Sequence, residues 1–337
     1  MTLRAMLMRR LVLAIPLLIG ILFFTFMLIR LGGQDPVGLL AGPTATTEEI
    51  EIVRSELGLD KPLFTQFWLF LGNVVQGDIG KSWISNRSVT LDILERIPIT
   101  LELLLWGVAL GSIIGVPVGL RAAFRHEKWF DHISRGISLL GFSIPTYFLA
   151  LLLLFVFFFL LGWSPPGMGR ISLLISPPPT VTGSYLIDGL LAGDLEVARS
   201  AFAQLILPII AVAIISAAPI VKHTRAIALE IISSDFVRFA RASGLPSEKV
   251  RRIVLKNSST PVTTFIGTEL TGLVGSVSLI EFVFAWGGVG QYGLNAIIRG
   301  DFAAVQGYVL FLALFSLVVF IIVDLLVLIL EPRAAAE

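Results

Sequence analysis

The residues of this chain that could carry chemistry are few, and they do not converge. His126, His132 and His223 lack ligand spacing, and the absence of cysteine from all 337 residues excludes disulfides and thiolate metal sites. The stretch GDIGKSW contains Gly80, Lys81 and Ser82, which resemble the tail of a phosphate-cradling loop. The full pattern needs glycine at position 75, where Val75 stands. Neither an HExxH nor a GxSxG sequence occurs, so no metal, cofactor or catalytic site is expected in this chain. What remains is a set of three carboxylates inside apolar runs, Glu102, Glu269 and Asp324. Each would cost about 2.5 to 3.5 kcal/mol at the centre of a membrane helix, so each should face a helix interface, a wet cavity or a partner. Glu102 and Asp324 sit near the ends of their runs and read as helix tethers. Glu269 lies deeper and is open between lining a pathway and tethering a helix.

The elements that must position these groups are membrane helices. The chain is 55% hydrophobic and 15% charged, with a mean hydropathy of +0.89, outside the balance of a soluble domain. A bilayer core demands about 20 apolar residues per helix, because a backbone in lipid must satisfy its own hydrogen bonds. Six segments meet that demand: Leu11 to Ile29, Ile99 to Leu120, Ile137 to Leu161, Leu205 to Val221, Val262 to Phe284 and Val305 to Leu330. The first is longer than a signal-peptide core and lacks a cleavage site, so it reads as a retained helix. The fourth carries Pro208 and Pro219 and is expected to kink. The expected fold is thus an all-α, six-helix integral membrane protein. Residues 1–98 hold the first helix and an external loop, 99–332 a five-helix core, and 333–337 a short tail.

Orientation follows from charge. Sixteen Lys and Arg residues fall on the side of the N-terminus, the second and fourth loops and Arg333, against nine on the other side, which places both termini in the cytoplasm. The basic residues are sorted by membrane side and make no nucleic-acid surface. In the first external loop, Thr46 and Glu49 form a capping box before Ile50, Val53 and Leu57, with Gly58 as a stop, predicting a short amphipathic helix on the outer rim. SPPPT at 176–180 marks an irregular cap, and the glycines of AWGGVGQYG mark a tight turn before the last helix.

One polar stretch interrupts the apolar pattern. DFVRFARASG predicts a short helix with Phe236, Phe239 and Ala240 on one face, Arg238 and Arg241 beside them, and Gly244 as a left-handed cap. Pro246 stops it, and SEKVRRIVLKN starts a basic helix that leads into the fifth span. Such a helix could dock into a partner's groove, or could simply set topology and meet anionic membrane lipid. The residues alone leave both open.

ARASG followed by LPSEKV and KNSSTP resembles the cytoplasmic coupling loop of ABC-importer permeases. The wider chain resembles the oligopeptide, dipeptide and nickel permease family, in the subunit with an RRLVLAIPLLIG first helix. GQDPV, ELGLDKPLFTQF, GDIGKSW, FSIPTYFLALLL, EFVFAWGGVGQYGLNAI, DFAAVQG and VDLLVLILEPR carry the likeness along nearly the whole length. Ser243 departs from the family's usual lysine, and Ser258, Ser259 and Thr260 replace small apolar residues. The resemblance implies the type I ABC importer permease architecture in a bacterial inner membrane. It further implies a second homologous permease subunit, two ATP-binding subunits that hold ATP and Mg, and an extracytoplasmic substrate-binding protein. It assigns Phe236, Arg238, Phe239, Ala240, Arg241, Ala242 and Gly244 to the contact with an ATPase. Di- or oligopeptides are the expected cargo, with a nickel chelate, glutathione, an opine or an oligosaccharide as alternatives. An ion-coupled transporter using Glu269, and a scaffold that moves nothing, are the rival readings.

Overall fold

A computed structural model describes residues 3–31, 37, 45–56 and 60–330. The expected stop at Gly58, most of GQDPV and the tail at 333–337 with Arg333 lie outside the described residues. Helices dominate. The first is α1 (Leu3–Leu31), which packs on the last helix. α2 (Thr47–Glu56) begins at the expected capping box: the Thr46 amide donates to the Glu49 carboxylate at 2.8 Å, and the Glu49 amide donates back to the Thr46 hydroxyl at 3.3 Å. None of its described side chains is buried. α3 (Leu63–Val75) puts Phe67 against Leu22 and Phe26 of α1, forming a small apolar cluster of its own.

The centre of the molecule is the pairing of α4 (Val89–Phe124) with α8 (Leu195–Ser233). Gly107, Gly111, Gly115 and Gly119 recur every fourth residue on α4, and they face Val212, Ser216, Ile220 and Thr224, which recur every fourth residue on α8. A Cβ on Gly115 would stand 2.8 Å from the Ile220 Cγ2, and one on Gly119 would stand 2.7 Å from the Val221 carbonyl oxygen. The two helices approach closely because one supplies the groove and the other the ridge, which in lipid replaces the missing hydrophobic drive between helices. α8 runs as one helix through Pro208 and Pro219 and is far longer than the expected fourth span.

The expected third span differs most. α5 (Trp129–Ser143) and α6 (Thr146–Leu153, continued to Leu160 by a π-helical turn) meet at a bend of 100°. Ile144 precedes Pro145 and is extended (ψ 124°), the conformation a proline favours in its predecessor, and the helix breaks there. Hydropathy carries no direction and merged the two. Among the described residues, four helices are long and apolar enough to cross a membrane uninterrupted: α4, α8, α10 (Ser247–Val283) and α12 (Phe302–Leu330). The bent pair taken together is apolar and long enough for a fifth, broken span, and α1 contributes the apolar stretch Val12–Leu28.

Between these lie three shorter helices. α7 (Tyr185–Leu191) follows the proline-marked segment and precedes α8, while α9 (Asp235–Ala242) joins α8 to α10. The turn expected at AWGGVGQYG forms over its first half, with positive φ at Ala285 and Gly287, and α11 (Val289–Arg299) follows it before the last helix. It nests against α10 and α12 through Gly290, at the Ser278 side chain, and Gly293, over the Tyr308 ring.

Candidate functional site

The polar stretch forms the predicted hairpin. α9 ends as a glycine-capped helix should: the Leu245 amide donates to the Ala240 carbonyl at 3.2 Å, and the Gly244 amide donates to the Arg241 carbonyl at 3.0 Å. Gly244 has φ +76°, and a Cβ there would meet nothing within 4 Å, so a side chain at this position is opposed by backbone strain and not by crowding. Pro246 then sets the extended residue from which α10 starts.

The helix has two faces, divided differently from the expectation. Val237 and Ala240 are buried against Val250 and Val254 of α10, with Ile231, Ile232 and Phe124 around them. Ala240 therefore roots the helix and does not share the outer face. Phe236 and Phe239 point outward, Phe239 with 74% of its surface exposed. Arg238 is exposed and lies 3.6 Å from Asp235, one turn earlier. Ala242 and Gly244 are exposed at the helix end. Arg241 joins Arg121, Arg125 and Arg251 around a groove of about 520 Å³ beside the hairpin, with Phe124 as its apolar wall. The guanidinium of Arg251 lies over the Phe124 ring, 5.5 Å from its centroid. The groove is electropositive and open, a shape that accepts carboxylates.

The three predicted carboxylates do not come together. Glu102 accepts a hydrogen bond from the Ser184 hydroxyl, next to Arg170, whose guanidinium stacks 3.6 Å from the Tyr185 ring centroid and donates to the Gly183 carbonyl at 2.7 Å. It lies well inside α4 and not near a helix end, because α4 begins ten residues before the expected span. Asp324 is clasped by Arg10 of α1, with one N–H···O distance of 2.7 Å, and so ties the first helix to the last. Glu269 is half-buried on α10 and makes no hydrogen bond or ion pair among the described residues.

A fourth carboxylate was passed over although it lies inside the fifth predicted span. Glu281 is completely buried near the end of α10. One carboxylate oxygen accepts from the Thr100 hydroxyl of α4 at 2.6 Å, and the other accepts from the Gln291 amide at 2.8 Å. Thr100 accepts in turn from the Val289 amide at 2.8 Å. These amides belong to the first turn of α11, where unpaired N–H groups and the helix dipole favour a negative charge. The glutamate that opens EFVFAWGGVGQYG was the available signal.

GDIGKSW has a structural use. The Ser82 hydroxyl donates to the Asp301 carboxylate at 2.5 Å and the Trp83 amide donates to it at 3.1 Å, while Asp301 also accepts from the Ala304 amide at the start of α12. The segment between α3 and α4 is thereby fastened to the last helix. Among the described residues no group of three or more metal-ligating side chains occurs.

Comparison with known proteins matches residues 115–336 to the family "Binding-protein-dependent transport system inner membrane component", and residues 3–104 to "Binding-prot-dependent transport system membrane comp, N-term". The chain is 36% identical to the probable D,D-dipeptide transport system permease protein DdpB of Escherichia coli K12, over 93% of this chain and 92% of that one. It is 37% identical to the di/tripeptide transport system permease protein DppB of Pseudomonas aeruginosa UCBPP-PA14, over 96% and 97% of the two chains. The dipeptide transport system permease protein DppB of Escherichia coli K12 is 35% identical over 97% of each chain. A bundle of long apolar helices without strands among the described residues, matched along nearly its whole length, places this chain in the family of binding-protein-dependent transport system inner membrane components, the permeases of type I ABC importers.

Proposed function

We propose that this chain forms the translocation pathway of an ATP-driven importer of di- or oligopeptides together with a second, homologous permease subunit. Two ATPase subunits would hold ATP and Mg on the side of α9, and a substrate-binding protein would deliver cargo at the opposite end. The two-faced construction of α9 supports this most directly. Its outer aromatics are uncovered, while Val237 and Ala240 root it in α10, so that pressure on the outer face moves a 37-residue helix. Closure of an ATPase pair on two such helices would drive alternating access by biasing one state of the bundle over the other.

On this reading Phe236, Arg238, Phe239, Arg241, Ala242 and Gly244 meet the ATPase, and Ala240 transmits the force. Asp324 and Glu102 tether helices. Both termini lie in the cytoplasm, and the core begins with α4, whose continuous helix crosses the boundary expected at residues 98 and 99. Peptide cargo is supported by the printed functions of the relatives, all of which concern dipeptides or short peptides.

Proteoliposomes holding the chain with its co-purifying subunits test the proposal, supplied with labelled peptides and with nickel-chelate, glutathione, opine and oligosaccharide controls. Peptide uptake that requires internal ATP and the binding protein is expected. Uptake of a control solute alone would move the cargo assignment. Uptake on an ion gradient without ATPases would move the mechanism to Glu269. A Gly244→Leu variant that assembles normally should hydrolyse ATP with little uptake, because the backbone penalty of about 1 kcal/mol misaims the helix; unimpaired uptake by that variant would refute the coupling role.

A further inference from the structure

We propose that the cleft between α5 and α8 is a binding site for one anionic phospholipid of the leaflet nearest α9. Two adjoining cavities make the cleft. The first, about 740 Å³, is walled by His132, Arg135 and Phe142 of α5 and by Lys222, His223 and Arg225 of α8. The second, about 440 Å³, is apolar, with Leu110 and Ile114 of α4, Ile133 and Ile137 of α5, and Ile210 and Ile214 of α8 on its walls. Ser138, Ala218 and Val221 line both, so the basic cavity opens directly into the apolar one.

The cations in the first cavity are not equivalent. Arg225 is already answered: its guanidinium makes paired contacts of 2.5 and 2.7 Å with the Asp131 carboxylate. His223 is fixed, its ring stacked on Phe265 with centroids 3.8 Å apart and its Nδ1 donating to the Pro219 carbonyl at 3.0 Å. Arg135 and Lys222 have no carboxylate partner among the described residues, and no carboxylate lines the cavity. The Lys222 ammonium lies 6.0 Å from the Phe142 ring centroid, held over the cavity mouth. Two unanswered positive charges at the end of an apolar slot complement a molecule with a phosphate at one end and a hydrocarbon chain at the other. A free phosphate would leave the slot empty, and a neutral lipid would leave the charges unanswered. The inference depends on the chain's place in a membrane and not on its cargo.

Native mass spectrometry of the purified complex, titrated with phosphatidylglycerol or phosphatidylcholine, tests the site. The parent complex should retain phosphatidylglycerol preferentially. The R135Q/K222Q variant should weaken that retention roughly 30-fold, and R135K/K222R should restore it. I214W, which fills the slot away from the cations, should lower retention with both charges in place. Glycerol phosphate should compete poorly, and a photo-crosslinker at position 137 should label lipid. Equal retention of the two lipids, indifference to R135Q/K222Q, competition by glycerol phosphate at matched concentration, or crosslinking to a second polypeptide would each overturn the assignment.

Discussion

At the end of the bundle that carries α9, two phenylalanines stand uncovered on a two-turn helix; at the far end of α10, around α11, a carboxylate is buried with both of its oxygens hydrogen-bonded. The α9 end exposes Phe236 and Phe239, is rooted by Val237 and Ala240, and turns on one left-handed glycine. The α11 end spends its polar groups internally, Glu281 on Thr100 and the α11 amides, and Asp301 on Ser82 and Trp83. One end leaves its aromatic side chains uncovered, whereas the other pairs its buried carboxylates within the chain, as a joint between its own helices requires.

The largest expected effect comes from opening the satisfied end. Glu281→Ala removes the acceptor for Thr100 and Gln291 inside a closed site, and should destabilise the chain by about 2 to 4 kcal/mol. Glu281→Gln keeps the shape and one acceptor oxygen and should cost less. Thermal unfolding in detergent reads both; a Glu281→Ala variant as stable as the parent would remove the contrast between the ends.

The same truncation at the other end should do the opposite. Phe239→Ala ought to leave thermal stability within about 0.5 kcal/mol of the parent, since an exposed side chain is removed. It should weaken assembly with the ATPase subunits by about 1 to 3 kcal/mol, as expected for an aromatic anchor. Co-purification of the ATPases at graded detergent concentration measures it, and normal assembly would place the contact elsewhere on the hairpin.

The smallest effect concerns pH at the outer surface. Burial pushes the Asp188 carboxyl up, but hydrogen bonds from the Thr182 amide and hydroxyl and from the Val181 and Gly183 amides outweigh it and hold the group below its ordinary value. A lowered folded value gives stability that is complete above the unfolded value of about 3.9 and is lost as pH falls through the folded one. The loop before α7 should therefore loosen only below about pH 4. Asp188→Asn should flatten that acid limb, and a hydrogen-exchange profile of residues 181–191 that ignores pH between 5 and 3 would contradict the assignment.

Much of the α9 end was legible because its signals are local. Pro246 fixes its own φ wherever it stands and Gly244 admits the left-handed turn that ends a helix, just as Thr46 with Glu49, in the first loop, closes a capping box within one turn. The split of Ala240 from the phenylalanines was not legible, since a small apolar residue beside two aromatics gives no sign of which face the core will take. Glu281 was visible as a letter but not as a site: its partners come from positions 100 and 291, brought together only when α4, α10 and α11 pack.

By itself, then, the sequence determined what each stretch must do in a membrane: apolar length makes a span, lysine and arginine bias its orientation, and Gly244 with Pro246 marks the end of a short helix. It also carried the four-residue glycine spacing of α4 without naming what would fill it. Tertiary structure alone decided that α8 fills that groove, that Pro145 turns one apolar run into two helices at 100°, and that a buried glutamate caps α11. Turns and caps are settled by torsions within a few residues, whereas a groove, a bend direction and a buried charge acquire meaning only from atoms far away in the chain.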